Sequence, residues 1–314
     1  TGDRVVSNGN HAEYVVVNQN LCTRIPDNTD IKEASFTVLG SIALHGLRLS
    51  KTSLGSKVVV IGLGIIGQLV CRLAEAQGSE VIGIDPDTKR TDMSANFYTS
   101  VEEANMTNVD SVIITAATSS NEPIEVATKI ARNKAKIVVV GDIPLNISRN
   151  DFYYKELELV VSKSYGPGRY DKQYEILGKD YPIEYVRWTE NRNFEAFIKL
   201  LSQNQIHLLD LVTEEVSFEI APSIYKKFSG EDKPLSIVLR YDNKSEPKIN
   251  LQRIVELEPK TEKVNLGILG AGNFASTTIL PILKELKKDC KVLGIASSTG
   301  LSSESLATNF KIKN

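Results

Sequence analysis

Cysteine, charge imbalance and long apolar runs are all scarce in this chain of 314 residues, and each scarcity excludes a class of protein. Its three cysteines stand far apart, so they predict neither a disulfide framework nor a zinc cluster and favour a reducing, cytoplasmic setting. The net charge of −2 favours neither nucleic acid nor an anionic membrane as partner. No apolar run approaches the roughly 18 residues of a membrane span, and no signal peptide is expected.

The length suggests about two domains of roughly 150 residues each, and the 41% of hydrophobic residues can supply their cores. The chain opens on Thr1-Gly2-Asp3-Arg4-Val5 without an initiator methionine, which is typical of the interior of a domain. We therefore expect a fragment of a larger protein. A homo-oligomer is compatible with these features.

Strands and helices are predicted to alternate from residue 57 onward. The strands are short, rich in valine and isoleucine and apolar throughout, which is typical of a parallel sheet covered on both faces and hence of an α/β fold. Strands are predicted at 4–6, 13–17, 57–62, 81–85, 109–117, 136–142, 157–162, 236–241, 264–270 and 291–296, and helices within 30–49 and at 65–77, 122–132, 193–204, 219–229 and 271–288. Residues 242–263 are charged and contain proline, which predicts a linker.

A glycine motif, Gly62-Leu63-Gly64-Ile65-Ile66-Gly67, follows the strand at 57–62 and opens the next helix. In a dinucleotide-binding turn the first glycine permits the turn, the second lets the backbone approach a pyrophosphate and the third lets helix and strand pack. Free N–H groups at the helix start would then hold the phosphates. The alternative is a tight turn in an ordinary α/β domain, which the ordered succession of strand, turn, helix, strand and acid disfavours.

Asp85 ends the following strand, where its carboxylate can accept hydrogen bonds from an adenosine ribose. A 2′-phosphate there would meet like-charge repulsion, which favours NAD over NADP. Arg90 could reach such a phosphate, or it could hold the ribose. The nicotinamide is expected at the carboxyl ends of the strands, although loop capping is an equal alternative for Thr115. The residues predicted around it are Thr115, Ala116, Val140 and Gly141.

At this point the sequence resembles the medium-chain dehydrogenase/reductase family, in its zinc-type alcohol dehydrogenase group. Gly2-Asp3-Arg4-Val5 and His11-Ala12-Glu13-Tyr14-Val15 look like closing strands of that family's GroES-like catalytic domain. The resemblance implies a doubly wound Rossmann sheet with part of a GroES-like β domain. It assigns 1–40 to the C-terminal part of the catalytic domain, 41–164 to the Rossmann domain and 165–241 to a return to the catalytic domain.

Three further segments resemble bacterial two-part oxidoreductases, in which such a dehydrogenase precedes a Gfo/Idh/MocA-type oxidoreductase. They are residues 115–118, 164–171 and 185–193. A second glycine motif fits this resemblance, with Gly270, Gly272 and Ala275 as its dinucleotide-binding positions, so 264–314 would be the beginning of a second Rossmann unit. No acid stands where Asp85 stands in the first motif, which fits NAD or NADP. Because one βαβ unit buries little apolar surface, we expect this tail to be loosely attached or partly disordered and to bind dinucleotide weakly.

The catalytic zinc of the zinc-type group is not expected. The resemblance would place a cysteine ligand near Leu39, where the sequence Phe36-Thr37-Val38-Leu39-Gly40 has no cysteine, histidine or acid. His11 is the nearest candidate ligand, and a lone histidine in such a segment is more often structural. We predict no metal site.

Two segments could bind a sugar-like substrate. Tyr165, Arg169 and Tyr170 stand in a loop rich in glycine and proline, which could equally be a rigid turn. Arg187 could bind a carboxylate or phosphate and Trp188 could stack on a sugar face. The alternative for this second segment is an ion-paired helix start capped by Asn191. The residues indicate no general acid or base.

The sequence therefore predicts an oxidoreductase that uses NAD(P) for hydride transfer at an alcohol or carbonyl carbon of a sugar-like or polyol small molecule, without catalytic zinc. One alternative is a zinc-free quinone or enone reductase, whose NADPH site Asp85 disfavours. The other is a non-catalytic dinucleotide-binding module, or a fragment of a larger bifunctional enzyme.

Overall fold

The computed structural model describes residues 2–225, 227, 233–241, 263–297 and 301–312. The chain forms two compact units, Thr1–Lys244 and Ser245–Asn314. Most of the predicted linker, residues 242–262, lies outside the described residues.

The first unit is built on a six-stranded sheet in which all neighbouring strands are parallel. Its strands are β3 (Lys57–Ile61), β4 (Glu80–Ile84), β5 (Phe97–Tyr98), β6 (Val109–Ile114), β7 (Ala131–Val139) and β8 (Glu158–Val161). They lie in the order β5-β4-β3-β6-β7-β8. The direction of winding reverses between β3 and β6, which is where doubly wound sheets bind ligands at their carboxyl ends. The predicted parallel sheet is thus confirmed.

The helices of this unit are α1 (Ile31–Ala34), α2 (Thr37–Ser50), α3 (Ile65–Ala76), α4 (Thr88–Thr91), α5 (Val101–Ala104), α6 (Glu122–Ile130), α7 (Arg149–Tyr153), α8 (Lys172–Glu175), α9 (Glu190–Ser202) and α10 (Ala221–Ile224). Successive side chains of β3 point to opposite faces of the sheet, so they pack against helices on both sides. Val58 and Val60 join a core cluster with residues of α2 and α3. Val59 and Ile61 join a second cluster with Ile124 and Ala127 of α6. The sheet is therefore buried on both faces.

Four short strands complete the first unit outside the sheet. They are β1 (Val5–Ser7) and β2 (Cys22–Arg24), which pair antiparallel, and β9 (Glu214–Ser217) and β10 (Ile237–Arg240), which pair parallel. The strand predicted at 13–17 is wrong, because Tyr14 and Val16 are almost fully exposed and no neighbouring strand in the described chain pairs with them. The helix predicted at 219–229 is wrong in extent: a 3₁₀ turn, Phe218–Ile220, leads into the single turn of α10, and 226 and 228–229 lie outside the described residues.

The second unit contains β11 (Val264–Leu269) and β12 (Cys290–Ala296), which pair parallel. A π-helical turn, Ala275–Ile279, and α11 (Leu280–Glu285) connect the two strands, and α12 (Leu301–Phe310) follows. This is the βαβ arrangement predicted for the beginning of a second Rossmann unit. Its strands are half exposed, unlike β3 of the central sheet.

Candidate functional site

The three glycines of the first motif have three different surroundings. Gly62 has a φ of +96°, and a Cβ there would lie 2.5 Å from the backbone nitrogen of Ala116. A Cβ at Gly67 would lie 1.9 Å from the carbonyl oxygen of Gly62. At Gly64, a Cβ would meet only the Arg90 guanidinium, at 4.0 Å, within the part of the chain that the structure describes. The first and third glycines are thus required by the turn and the packing, whereas the second leaves open space where a pyrophosphate would approach.

The first turn of α3 is free to receive an anion. Ile65, Ile66 and Gly67 form this turn. Gly64 is the N-cap and has no side chain that could accept a hydrogen bond from the backbone N–H groups of the turn. Helix N-termini carry unsatisfied N–H groups and a partial positive charge. The end of β6 also stabilises the glycine loop, because the Thr115 hydroxyl donates a hydrogen bond to the Gly62 carbonyl at 2.5 Å.

Asp85 is buried at the end of β4 and holds the glycine loop. Its Oδ2 accepts from the Leu63 backbone N–H at 2.7 Å and from Arg90 at 3.1 Å, while Oδ1 accepts from the Asp87 N–H at 3.0 Å. A carboxylate offers about four acceptor positions, so Oδ1 can still accept one more hydrogen bond. The acid and Arg90 are therefore placed together beside the loop.

Ala116, Val140 and Gly141 lie beside one another at the carboxyl ends of β6 and β7. The N–H groups of Val140 and Gly141 donate to the Ile114 carbonyl at 2.8 and 3.0 Å. A Cβ on Gly141 would lie 2.0 Å from the Ala116 carbonyl oxygen, so only glycine permits this approach. The sheet thus brings all of the predicted first-motif residues to one edge.

The loop after β8 contains Tyr165, Arg169 and Tyr170, but their side chains are engaged differently. Tyr165 is buried, and its hydroxyl accepts from Asn8 at 3.0 Å. Arg169 pairs with Glu175 at 2.7 Å and stacks on both tyrosine rings, 5.0 Å from Tyr165 and 4.2 Å from Tyr170. Tyr170 is exposed and has a φ of +67°. Of the three, Tyr170 has the ring most accessible to a substrate.

Arg187 and Trp188 contact each other, and Arg48 of α2 joins them. The two guanidinium carbons lie 3.8 Å (Arg187) and 3.4 Å (Arg48) from the ring centre of Trp188. The alternative in which Asn191 caps the following helix is wrong. The N-cap is Thr189, whose hydroxyl accepts from the Arg192 N–H, and the Asn191 side chain donates to the Cys22 carbonyl.

Glu190 belongs to the same polar segment as Arg187 and Trp188, but its burial could not be predicted from the sequence. Its side chain is fully buried and neither carboxyl oxygen has a hydrogen-bond partner among the described residues. Burial, reinforced by the nearby Glu175 carboxylate, raises its pKa to about 8, although Arg169 opposes the shift. A glutamate directly after a helix-capping threonine is an ordinary exposed pattern, so only the tertiary packing reveals it.

The described residues contain no group of three or more histidine, cysteine, aspartate or glutamate side chains that could hold a metal ion. The positions near Leu39 that would supply a zinc ligand in the zinc-type group lie at the start of α2 and carry no such side chain. These residues therefore do not fit a catalytic zinc. Among the helices in the described ranges, none is long and apolar enough to cross a membrane.

The second glycine motif lies between β11 and α11, as predicted. Gly270 has a φ of +102°, but among the described residues no atom lies within 4 Å of a Cβ built on Gly270 or Gly272. Ala275 is buried in the π-helical turn. The motif thus has a left-handed glycine directly after its strand, as at Gly62, without the close packing found at Gly62 and Gly67.

Comparison with known proteins supports a dehydrogenase-like chain. The model of the D-isomer specific 2-hydroxyacid dehydrogenase NAD binding domain matches residues 40–150, which run from α2 to the start of α7. The chain is 26% identical over 169 residues to 2-dehydro-3-deoxy-L-galactonate 5-dehydrogenase of Pseudoalteromonas atlantica, covering 49% of each chain. It is 23% identical over 234 residues to D-xylulose reductase A of Aspergillus niger, covering 70% of this chain and 60% of the relative.

Among solved structures, galactitol-1-phosphate dehydrogenase of Escherichia coli aligns with a TM-score of 0.59 at 21% identity, over 74% of this chain and 66% of its own. This likeness shows the fold. Together with the curated relatives, it supports the resemblance to alcohol dehydrogenase-like proteins at the level of the fold. The chain spans about half to three fifths of the length of the curated relatives it matches.

Proposed function

We propose that this chain binds NAD(H) at the carboxyl edge of its six-stranded sheet and takes part in hydride transfer at an alcohol or carbonyl carbon of a sugar-like or polyol substrate. The observation that carries the proposal is the difference among the motif glycines. Gly62 and Gly67 are enclosed by protein atoms, whereas Gly64 faces open space at an uncapped helix start. A merely structural turn would not need a glycine at that position.

The residues around the loop divide the work of holding the cofactor. The first turn of α3 would bind the pyrophosphate through its N–H groups. The Oδ1 atom of Asp85 would accept a hydrogen bond from a hydroxyl of the adenosine ribose, and the Arg90 side chain would lie along the same ribose. Thr115, Ala116, Val140 and Gly141 would line the nicotinamide end. When bound, the nicotinamide supplies the hydride acceptor or donor, and the protein places it against the reacting carbon.

The substrate would lie beside the loop after β8, against the exposed ring of Tyr170, while Arg169 and the buried Tyr165 would hold the loop in place. The names of the relatives support a polyhydroxylated compound, since they act on a deoxy-galactonate, on xylulose and on galactitol 1-phosphate. Polarisation of the substrate oxygen would not depend on zinc ligands from this chain, because the described residues do not fit that metal.

The remaining parts of the chain fit a larger protein. In the proposed organisation, 1–40 and 165–241 belong to a GroES-like catalytic domain around the Rossmann domain at 41–164. Residues 264–314 would begin a Gfo/Idh/MocA-type oxidoreductase, whose second site would take NAD or NADP. Support comes from the second βαβ arrangement and from the glycine turn at Gly270.

A binding titration followed by a turnover assay tests the proposal. The chain is titrated with NADH and then assayed with NAD and a panel of polyols and sugar acids. Binding together with turnover supports the dehydrogenase. Binding without turnover favours a non-catalytic dinucleotide-binding module. Absence of NADH binding contradicts both.

A further inference from the structure

Two arginines from distant parts of the sequence meet at the single tryptophan of the chain. Arg48 lies on α2, whereas Arg187 and Trp188 directly precede α9. Their guanidinium carbons lie 3.4 Å and 3.8 Å from the ring centre of Trp188. The tertiary fold therefore brings two like charges onto one aromatic ring. Such an arrangement is costly unless an anion compensates it.

No carboxylate in the described chain compensates these charges. Neither Arg48 nor Arg187 forms an ion pair there, whereas Arg72, Arg132 and Arg192 each pair with an aspartate. Burial, together with the charge of Arg187, lowers the pKa of Arg48 to about 10. The pair thus has uncompensated positive charge that a bound anion would stabilise.

The cluster is connected to the proposed substrate loop. The Arg48 Nε donates to the Asn193 Oδ1 at 3.0 Å, and the Asn193 Nδ2 donates to the Tyr165 carbonyl at 3.0 Å. One of the five N–H donors of Arg48 is used in this way, which fixes the plane of the guanidinium. The remaining donors of Arg48 and those of Arg187 are available to a ligand.

We propose that Arg48, Arg187 and Trp188 form an oxyanion-binding site that takes the carboxylate or phosphate group of an acidic sugar. The inference deepens the proposed function and rests on it, because it names the class of substrate. Planar guanidiniums bind carboxylate and phosphate through paired hydrogen bonds. The indole lies between the two guanidinium groups and holds both by cation–π contact. A neutral polyol lacks the group that this site would bind.

Trp188 is also the reporter for the test, because the chain contains only one tryptophan. Its fluorescence is followed during titration with inorganic phosphate, D-gluconate and sorbitol, with ionic strength held constant by potassium chloride. We expect a saturable change with phosphate, with gluconate or with both, and none with sorbitol or chloride. A response to phosphate alone assigns sugar phosphates, and a response to gluconate alone assigns sugar acids.

The variant Arg187→Gln should weaken anion binding about tenfold or more, since it removes one charged bidentate donor. Arg149→Gln is the matched control. Arg149 is exposed on α7, and its guanidinium lies 4.6 Å from the ring centre of Tyr153. Its substitution therefore removes the same charge and the same kind of cation–π contact at a site away from Trp188. Circular dichroism melts check that both variants fold.

The inference is overturned if neither anion gives a saturable response, or if Arg187→Gln binds anions as tightly as the wild-type chain. A parallel NADH titration separates this failure from failure of the proposed function. NADH binding without an anion response refutes only the oxyanion site. An anion response without NADH binding refutes the dehydrogenase proposal and leaves the oxyanion site in place.

Discussion

The Asp85 carboxylate accepts a hydrogen bond from the backbone N–H of Leu63 at 2.7 Å. The acid that ends β4 thereby holds the glycine loop that follows β3, on the neighbouring strand of the sheet. The same carboxylate pairs with Arg90. In the proposed function this one side chain would set cofactor selectivity as well as loop geometry, and substitutions of the loop glycines test cofactor binding apart from stability.

Gly64→Ala should weaken NADH binding about tenfold or more while leaving stability nearly unchanged. Its backbone, with φ −63° and ψ −177°, is open to alanine, and the new Cβ would meet no atom closer than 4.0 Å. Replacing glycine by alanine at an N-cap costs a few tenths of a kcal/mol to about 1 kcal/mol. The methyl group would instead occupy the space proposed for the pyrophosphate. Calorimetric titration and thermal melts measure the two effects.

Gly67→Ala is the matched variant, and we expect it to lower the stability of the fold. A Cβ there would lie 1.9 Å from the Gly62 carbonyl oxygen, so α3 must move away from β3. Such overpacking typically destabilises by about 1–3 kcal/mol or more. If Gly64→Ala destabilises the fold as much as Gly67→Ala, or binds NADH normally, Gly64 is not the position that the pyrophosphate approaches.

Glu190→Gln should change how stability depends on pH. The folded-state pKa of Glu190 is raised to about 8 by burial, from an ordinary value of 4.5, so the folded chain retains a proton that the unfolded chain releases. The stability that this carboxyl contributes is present at low pH and is lost as pH rises from about 4.5 through 8. Glutamine cannot ionise and should therefore gain on the order of 3 kcal/mol relative to wild type between pH 5 and pH 9.

Urea unfolding at pH 5, 7 and 9 measures this difference. Glu195→Gln is the control, because Glu195 lies on the same helix with an exposed side chain. Parallel pH profiles for wild type and Glu190→Gln would show that Glu190 is ionised in the folded protein over this range.

The second glycine motif should contribute no strong site in this chain, so calorimetry should give about one NADH per chain. Leu269 at the end of β11 and Phe274 at the start of the helical segment are largely exposed, as expected for one βαβ unit with little core. Gly272→Ala should leave NADH affinity unchanged, in contrast to Gly64→Ala. Two dinucleotides per chain would show that residues 264–314 form a working site on their own.

Much of the central fold could be predicted from the sequence because its strands are uninterrupted apolar runs. Lys57–Ile61 and Glu80–Ile84 lie within about one residue of their predicted bounds. The strand predicted at 13–17 is wrong because a valine-rich segment forms a strand only where neighbouring residues cover its side chains. Here the side chain of Val16 is exposed. The two-residue β5 was missed because Phe97–Tyr98 is too short to show a period.

The candidate site was predictable where a motif fixes backbone conformation, as at Gly62 and Gly67. It was not predictable where tertiary packing brings side chains together. Nothing in the sequence around Arg48 shows that its guanidinium contacts Trp188. That residue lies 140 positions later in the chain, just before α9. The burial of Glu190 follows in the same way from packing of the loop after β8 on α9, which no local pattern encodes.

Cofactor choice tests the central claim most directly. Calorimetric titrations of NADH and NADPH are made on the wild-type chain, on Asp85→Ser and on Asp110→Ser. Asp110 is the control, since it also accepts a backbone N–H, from Lys57 at 2.8 Å, and pairs with an arginine, but at the start of β6. We predict that wild type and Asp110→Ser bind NADH about tenfold or more tightly than NADPH, and that Asp85→Ser loses most of this preference. Equal or tighter NADPH binding by the wild-type chain, or an unchanged preference in Asp85→Ser, would contradict the account.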